Sequence, residues 1–336
     1  MKAVGYYTPG PIDRVDALAD LSMPPPVLSP HDLLVRVRAV SVNPVDTKVR
    51  AAAVPTAGTA RILGFDAAGI VEAVGSNVTL FKPGDEVFYA GDITRQGTNA
   101  ELHAVDERIA GRKPENLDWA AAAALPLTSI TAWEALFDRL EIRRPVPGAN
   151  AILIVGSGGV GSIAIQIAKA LTDLTIITTA ALPEDEARVR RLGADHVIDY
   201  RQPLAGGFAA LGVPAPGFVF STTHTQSNLP EIVELIALQG RIACIDDPVM
   251  LDIVLLKPKM LSAHWEFMFG RSMFQTPDLI EQHKLLNEVG RLVDAGRIVS
   301  TLTERLSPIC AETLRQAHMR VESGKARGKI VIEGWG

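Results

Sequence analysis

The chain has 336 residues, of which 47% are hydrophobic and 21% are charged, and its formal net charge is −5. This length is sufficient for two domains, and the composition is ordinary for a soluble globular protein. The negative charge and the lack of a basic run argue against nucleic acid or an anionic membrane surface as a partner.

No stretch of 18 or more apolar residues lacks a charge, and the N-terminus has too few apolar residues for a secretory signal. We therefore predict neither a membrane span nor export. The only cysteines, Cys244 and Cys310, are too few for a disulfide framework or a four-cysteine zinc site. These features favour a reducing, cytoplasmic setting.

The first 125 residues favour short strands. Residues 33–42 alternate apolar and polar side chains over part of their length, as a half-buried strand does, and residues 65–75 and 86–90 are also strand-like. Lys-Pro-Gly-Asp at 82–85 is typical of a turn. Short strands joined by such turns indicate a small antiparallel barrel. Residues 119–140 then favour helix, with a break at Pro126.

A glycine-rich loop follows a fully apolar run at Ala151–Val155, which is typical of a strand buried on both faces. Gly156, Gly158 and Gly161 have the G-x-G-x-x-G spacing, and a helical apolar pattern comes after them. In this context the glycines indicate a tight turn, close approach of a pyrophosphate and close packing of helix on strand. The predicted phosphate-binding residues are Gly156, Ser157, Gly158, Gly159, Val160 and Gly161.

Strands and helices alternate from this loop onward. This βαβ pattern predicts a doubly wound parallel sheet. Further strands are predicted at residues 174–179, 196–200, 217–221 and 240–245, and helices at 184–192, 228–238 and 279–295. A closing strand at Lys329–Ile332 is expected to return to the first domain and to cover an edge of the barrel.

Several motifs are spread over the whole chain: Ser41–Thr47, Gly64–Gly69, Lys82–Val87, Ala124–Ser129, the glycine loop, Leu192–Ile198 and Gly328–Val331. Together they resemble the medium-chain dehydrogenase/reductase superfamily. More closely, they are similar to its zinc-free quinone oxidoreductase branch and to bacterial proteins labelled zinc-type alcohol dehydrogenase-like.

The resemblance implies an α/β fold in which a Rossmann doubly wound parallel sheet is inserted into a GroES-like β-barrel domain. It places the barrel domain at residues 1–127 and 271–336 and the Rossmann NADP(H)-binding domain at residues 128–270. It also implies NADPH-dependent reduction by hydride transfer in the cleft between these domains.

The same comparison predicts that no zinc is bound. Zinc-dependent relatives have a cysteine ligand where this chain has Asn43, and the histidine of their Gly-His-Glu motif falls at Phe65. Their structural zinc is held by several cysteines, whereas this chain has none before Cys244. Neither Asn nor Phe is a usual zinc ligand.

Without a metal, hydrogen-bond donors must stabilise the charge that develops on the acceptor oxygen. Asn43 could donate its amide to a carbonyl or cap its own loop, and Asp46 could anchor a donor network or cap a helix beginning at Thr47. Lys48 could supply a positive charge, or it could simply be solvated. Phe65 would make the pocket apolar or pack in the core. The resemblance places Thr128 near the nicotinamide; otherwise its hydroxyl caps a helix.

The cofactor prediction depends on the end of the second strand. An NAD site usually has Asp or Glu there, whereas Thr178–Leu182 contains no acid and leaves room for a 2′-phosphate. We therefore predict NADPH rather than NADH, although the Ser-Arg pair of many relatives is missing. Residues expected near this end are Thr179, Ala180, Tyr200 and Lys325, or Arg327 in place of Lys325. Arg188 is a further candidate cation, or a solvated helix charge paired with Glu184.

Residues Leu261–Phe269 are apolar enough to form an edge strand of the sheet. In relatives this region pairs with its twin, so we expect a homodimer, with His264 and Trp265 in structural roles. The predicted activity is reduction of quinones or α,β-unsaturated carbonyls, whose acceptor carbon is already electron-poor. The alternatives are a metal-free aldehyde or ketone reductase and a non-catalytic NADPH-binding or NADPH-sensing protein.

Overall fold

A computed structural model describes all residues from Met1 to Gly336. The strands are β1 (Lys2–Tyr6), β2 (Ala19–Ser22), β3 (Asp32–Val42), β4 (Arg61–Ile62), β5 (Ala67–Val74), β6 (Glu86–Tyr89), β7 (Leu102–Asp106), β8 (Ala110–Arg112), β9 (Ala151–Val155), β10 (Thr175–Thr179), β11 (His196–Ile198), β12 (Phe218–Ser221), β13 (Arg241–Cys244), β14 (Ser262–Trp265), β15 (Leu302–Leu306) and β16 (Lys329–Glu333).

The helices are α1 (Pro44–Ala52), α2 (Trp119–Ala123), α3 (Pro126–Trp133), α4 (Gly159–Leu171), α5 (Pro183–Arg191), α6 (Leu204–Leu211), α7 (Thr225–Leu235), α8 (Gly270–Phe274), α9 (Ile280–Asp294) and α10 (Ala311–Glu322). Short 3₁₀ turns lie at Glu107–Ile109 and Ile253–Lys259, and a π-helical segment spans Glu134–Arg139.

The chain divides into two compact units. The first unit consists of Met1–Ile130, Phe269–Gly296 and Ser300–Gly336, and the second consists of Thr131–Met268 and Arg297–Val299. Each unit therefore contains segments that are distant in sequence, and each is described separately below.

The first unit is built on two sheets. Strands β2, β1 and β4 form an antiparallel three-stranded sheet, and a seven-stranded sheet has the order β15-β16-β3-β5-β6-β8, with β7 also paired to β3. All its pairings are antiparallel except that of β15 with β16. The predicted return of the closing strand is confirmed, since β16 pairs with β3.

The second unit contains a six-stranded parallel sheet of order β11-β10-β9-β12-β13-β14. This confirms the predicted doubly wound fold. Every residue of β9 is buried, as its unbroken apolar sequence predicts for a central strand covered on both faces. The order reverses beside β9, so the loop that follows this strand lies at the topological switch point, where such sheets bind ligands.

The segment predicted as an edge strand is confirmed in part of its length. Strand β14 lies at the end of the parallel sheet, but it covers only Ser262–Trp265. The dimer predicted at this edge stays a prediction. The helix predicted at residues 228–238 begins earlier, at Thr225, and contains Pro230. Helices α6 and α10 were not predicted; α6 contains two adjacent glycines, which weaken the helical signal.

The predicted break at Pro126 separates α2 from α3. The helical stretch Trp119–Arg139 has the length and apolar composition of a membrane span, yet 83% of its most apolar window is buried inside the protein. Burial of this extent is the pattern of a core helix, so the stretch is weak evidence for a span.

Candidate functional site

Polar residues from three strand ends meet in the first unit. Asn43 follows β3, Asp66 precedes β5, and Lys329 is the first residue of β16. Because β3 pairs antiparallel with both β5 and β16, these three residues come together at one end of β3. All three are buried. Buried charges persist only where they are paired, so their partners decide what this site can do.

Lys329 is the centre of this arrangement. Its Nζ lies 2.9 Å from Oδ2 of Asp66 and also donates to Oδ1 of Asn43 and, at 3.3 Å, to the carbonyl oxygen of Val42. Nδ2 of Asn43 donates to the same Asp66 oxygen at 2.7 Å. The amide of Asn43 is thus engaged at both ends, and a bound carbonyl would have to compete with Asp66 for it.

Asp66 also controls the position of Thr128. Its second oxygen, Oδ1, accepts the backbone N–H of Leu127 at 2.7 Å, near the start of α3. Thr128 follows directly, is buried, and donates its hydroxyl to the carbonyl oxygen of Leu125 at 3.1 Å. Thr128 therefore lies inside α3 and does not cap it, and its hydroxyl proton is already used.

Asp46 is the fourth member of what we call the Lys329 cluster: Asn43, Asp46, Asp66 and Lys329. Helix α1 begins at Pro44 and not at Thr47 as predicted, since proline is suited to the first helical position. Asp46 accepts the backbone N–H of Asn43 at 2.8 Å and that of Gly64 at 3.0 Å. It both caps the helix and fixes the segment that leads to Asp66.

The electrostatics of the cluster follow from two carboxyl groups that share one ammonium. Burial raises the pKa of Asp46 to about 7, and the nearby Asp66 carboxylate contributes to the rise. Burial also raises the pKa of Asp66, against the opposing effect of the Lys329 ammonium. The N–H groups of Asn43, Leu127 and Lys329 that donate to Asp66 favour its carboxylate form and so oppose this rise.

The donor set of the first unit does not fit a catalytic zinc ion. Phe65 is buried and packs edge-on against Phe269, with ring centroids 5.2 Å apart. The oxygens of Asp46 and Asp66 are directed at N–H donors, and the Lys329 ammonium would repel a divalent cation. Nowhere in the chain do three or more His, Cys, Asp or Glu side chains gather in a way that could hold a metal ion.

The glycine loop of the second unit is shaped by its glycines. Gly156 has φ of +96°, a conformation that other residues rarely adopt. A Cβ at Gly161 would overlap the carbonyl oxygen of Gly156, so only glycine lets α4 begin this close to β9. At Gly158, by contrast, a Cβ would meet nothing within 4 Å. The loop is therefore tightly packed where Gly161 lies against Gly156, and it is open to a ligand at Gly158.

The loop fits the phosphates of a dinucleotide. Gly158 is the N-cap residue of α4 and offers no side chain to cap the helix, so backbone N–H groups of the first turn are left for an anion. Thr179 fixes the loop, because its hydroxyl oxygen accepts the N–H of Gly156 at 2.9 Å. Thr179 was predicted as a cofactor contact, and the structure gives it this supporting role.

The remaining predicted cofactor residues differ in exposure. Ser157, Gly159 and Val160 are partly buried, whereas Ala180 is buried directly after β10. Tyr200 is 59% exposed after β11. Lys325 belongs to the first unit and is exposed after α10. Lys48 is exposed on α1. The roles predicted for these residues stay predictions.

Lys329 was not predicted as a site residue, and Asp66 was recognised only as part of the Gly64–Gly69 motif. One signal was present: Lys329 opens the apolar strand Lys-Ile-Val-Ile, where a charged residue needs a buried partner. Its partner could not be identified, because Asp66 lies 263 residues away in the chain. Arg188 was predicted as a cofactor cation or a solvated charge, but it donates to the glycine loop itself.

Comparison with known families matches both parts of the chain. Residues 29–115 match the alcohol dehydrogenase GroES-like domain, and residues 192–332 match the family described as zinc-binding dehydrogenase. The second description refers to zinc. The side chains of the Lys329 cluster are not suited to bind zinc, because the Lys329 ammonium occupies the oxygens of Asn43 and Asp66.

Individual relatives extend over nearly the whole chain. A zinc-type alcohol dehydrogenase-like protein of Staphylococcus aureus strain MRSA252 is 39% identical, and the alignment covers 99% of each chain. The mitochondrial NAD(P)H oxidoreductase RTN4IP1 of Homo sapiens is 30% identical over 92% of this chain and 83% of its own. A crystal structure of a Rhizobium etli CFN 42 protein, assigned as a zinc-dependent alcohol dehydrogenase, is 63% identical with a TM-score of 0.98 and covers 100% of this chain and 98% of that one.

Proposed function

Because the chain belongs to the medium-chain dehydrogenase/reductase superfamily, we propose that it is an NADPH-dependent reductase of quinones or α,β-unsaturated carbonyls that works without a metal ion. One observation carries the metal-free part of this proposal. Zinc-dependent relatives need metal ligands where this chain places Asn43 and Phe65, and the adjoining cluster is neutralised by the Lys329 ammonium.

The class of substrate follows from this chemistry. An alcohol–ketone couple gains from a metal that holds the alkoxide. A quinone or an enone has an electron-poor carbon that accepts hydride more readily, so ordinary hydrogen-bond donors and one cation are sufficient. The absence of a fitting metal site therefore favours activated acceptors over simple alcohols.

The cofactor proposal rests on the second unit. The glycine loop provides backbone N–H groups for a pyrophosphate, and the end of β10 has no acid to bind a ribose diol. We propose that Tyr200, which follows β11 in this unit, helps to hold the 2′-phosphate of NADPH. The relative RTN4IP1 is named an NAD(P)H oxidoreductase, which supports a nicotinamide cofactor here. When bound, NADPH supplies the hydride.

The Lys329 cluster is proposed to act as a scaffold. It joins the end of β3, the start of β5 and the first turn of α3, and so fixes Asn43 and Thr128 relative to each other. Lys329 is buried in its ion pair with Asp66, whereas Lys48 is exposed on α1 and therefore accessible to a bound substrate. We therefore propose Lys48, and not Lys329, as the cation that stabilises charge on the acceptor oxygen.

The test is to follow NADPH oxidation with 1,2-naphthoquinone, 9,10-phenanthrenequinone and 3-nonen-2-one, each with and without a chelator. We expect turnover that the chelator does not change. Activity that is lost with chelator and returns with zinc would contradict the metal-free proposal. The variant Lys48→Met should lower kcat by roughly 10- to 100-fold while cofactor affinity is kept, as for loss of one transition-state contact.

A second candidate is a non-catalytic NADPH-binding protein. It is favoured by one observation: the amide of Asn43 and the hydroxyl proton of Thr128 are both engaged within the protein. Tight binding of NADPH, seen by cofactor fluorescence, without turnover of any of the three acceptors would support this candidate and contradict the reductase.

A further inference from the structure

Arg188 lies in α5 and reaches back to the glycine loop. Its Nη2 donates to the carbonyl oxygen of Ser157 at 2.7 Å, and its Nη1 donates to the hydroxyl of Ser162 at 2.6 Å. The Ser162 hydroxyl in turn donates to the same Ser157 carbonyl at 3.0 Å. The side chain of Arg188 is only 19% exposed. The guanidinium thus spans the loop and the first turn of α4.

These contacts set the direction of one peptide group. The C=O and N–H groups of a trans peptide point to opposite sides. Because the Ser157 carbonyl is held by Arg188, the N–H of Gly158 in the same peptide group points away from Arg188. Gly158 is also the position where the loop is open, since a Cβ there would meet nothing within 4 Å.

We propose that Arg188 is a positioning residue for the pyrophosphate of the dinucleotide. It holds the Ser157–Gly158 peptide in the orientation that presents N–H to the ligand, and it adds a positive charge behind the loop. Both terminal nitrogens donate to the loop and to α4, and Asp185 lies 3.8 Å from Nε, so the proposal gives Arg188 a positioning role and not direct contact with the 2′-phosphate. This inference rests on the proposed binding of a nicotinamide dinucleotide.

The inference predicts an effect that is the same for every ligand with a pyrophosphate. The variant Arg188→Met should weaken NADPH, NADH and ADP-ribose by a common factor of roughly 10- to 100-fold, the usual range for loss of a charged hydrogen-bonding group. Adenosine 2′-monophosphate, which has no pyrophosphate, should keep its affinity. Affinities are measured by fluorescence titration and by competition with NADPH.

Three further variants distinguish the positioning role of Arg188 from the effect of its charge and from a general loss of structure. Arg191→Met removes an exposed arginine from the same helix and should leave all four affinities unchanged. Arg188→Lys keeps a charge but cannot bridge two acceptors with a planar fork, so it should recover only part of the loss. Ser162→Ala removes one anchor of the guanidinium and should weaken the same three dinucleotide ligands to a smaller extent.

The outcomes are distinct. Selective loss of NADPH affinity in Arg188→Met would identify Arg188 as a 2′-phosphate ligand and overturn the inference. Unchanged affinities for all three dinucleotide ligands in a folded Arg188→Met variant would also overturn it. Equal loss for adenosine 2′-monophosphate would show general damage to the unit and overturn it as well. If Arg188→Met does not fold, Arg188→Lys and Ser162→Ala give the same comparison. If the wild-type protein binds neither NADPH nor ADP-ribose, the proposed cofactor itself is wrong.

Discussion

The ammonium of Lys329 lies 2.9 Å from the carboxylate of Asp66, and neither side chain is more than 4% exposed. This ion pair links the last strand of the chain to a segment of its first third. In a buried pair, the loss of one partner leaves the other charge without compensation, which is costly. Substitution of either partner should therefore lower the free energy of unfolding of the first unit.

Replacement of Lys329 by Met should lower the free energy of unfolding by about 3–5 kcal/mol, because the Asp66 carboxylate is left buried without a cation. Urea denaturation measures the change. The matched control is Lys325→Met at an exposed position four residues earlier, which should change stability by less than about 0.5 kcal/mol. The double variant Lys329→Met with Asp66→Asn should recover part of the loss. A single variant as stable as the control would show that the pair is not held as described.

Two glycine substitutions should separate ligand binding from folding. In Gly158→Ala the new methyl group enters open space, so we expect normal stability but weaker NADPH binding by roughly tenfold or more, since the loop lets the pyrophosphate approach closely. Gly206→Ala, in helix α6, also enters open space and should stabilise the protein by about 0.4–1 kcal/mol with unchanged binding. Equal NADPH affinity in Gly158→Ala and wild type would contradict the proposal that the pyrophosphate binds at this loop.

The raised pKa of Asp46 should make stability depend on pH. This carboxyl has a pKa of about 7 in the folded protein and 3.8 when unperturbed, so the folded state binds its proton more tightly. Its contribution to stability is complete below about pH 4 and is lost as the pH rises through 7, with a total of at most roughly 4 kcal/mol.

The variant Asp46→Asn has no such titration. The stability of the wild type relative to this variant should therefore fall between pH 4 and pH 7.5 in chemical denaturation experiments. The loss of one hydrogen bond from Asn43 or Gly64 shifts the variant by a constant amount and does not alter this trend. Parallel pH profiles for the two proteins would contradict the raised pKa.

The two cysteines should react at very different rates. Cys244 is 1% exposed, and burial together with the nearby Asp246 raises its pKa to about 11, so it is not a thiolate at neutral pH. Cys310 is free and partly exposed. Ellman's reagent should modify one thiol rapidly in the native protein and both in urea. Cys310→Ser should abolish the rapid phase, and a rapid phase that survives this change would show that Cys244 is accessible.

Local sequence patterns accounted for most of the second unit. The strand Ala151–Val155 was predicted at its observed position, and a helix was predicted after the glycines, where α4 is found. An unbroken apolar run and a helical apolar period are both patterns of a few adjacent residues. Boundaries were less accurate where the pattern was weaker, as at α7, where Pro230 lies inside the helix.

The sequence by itself determined the glycine loop, the alternation of strands and helices and the family, and Asn43 and Phe65 led to the prediction that no zinc is bound. Only the tertiary structure decided which charges meet. Lys329 contacts Asp66 because β16 and β5 both pair with β3. Arg188 contacts the carbonyl oxygen of Ser157 because the fold brings α5 next to the glycine loop. Such contacts depend on strand register and on burial, and neither is encoded in any local spacing of residues.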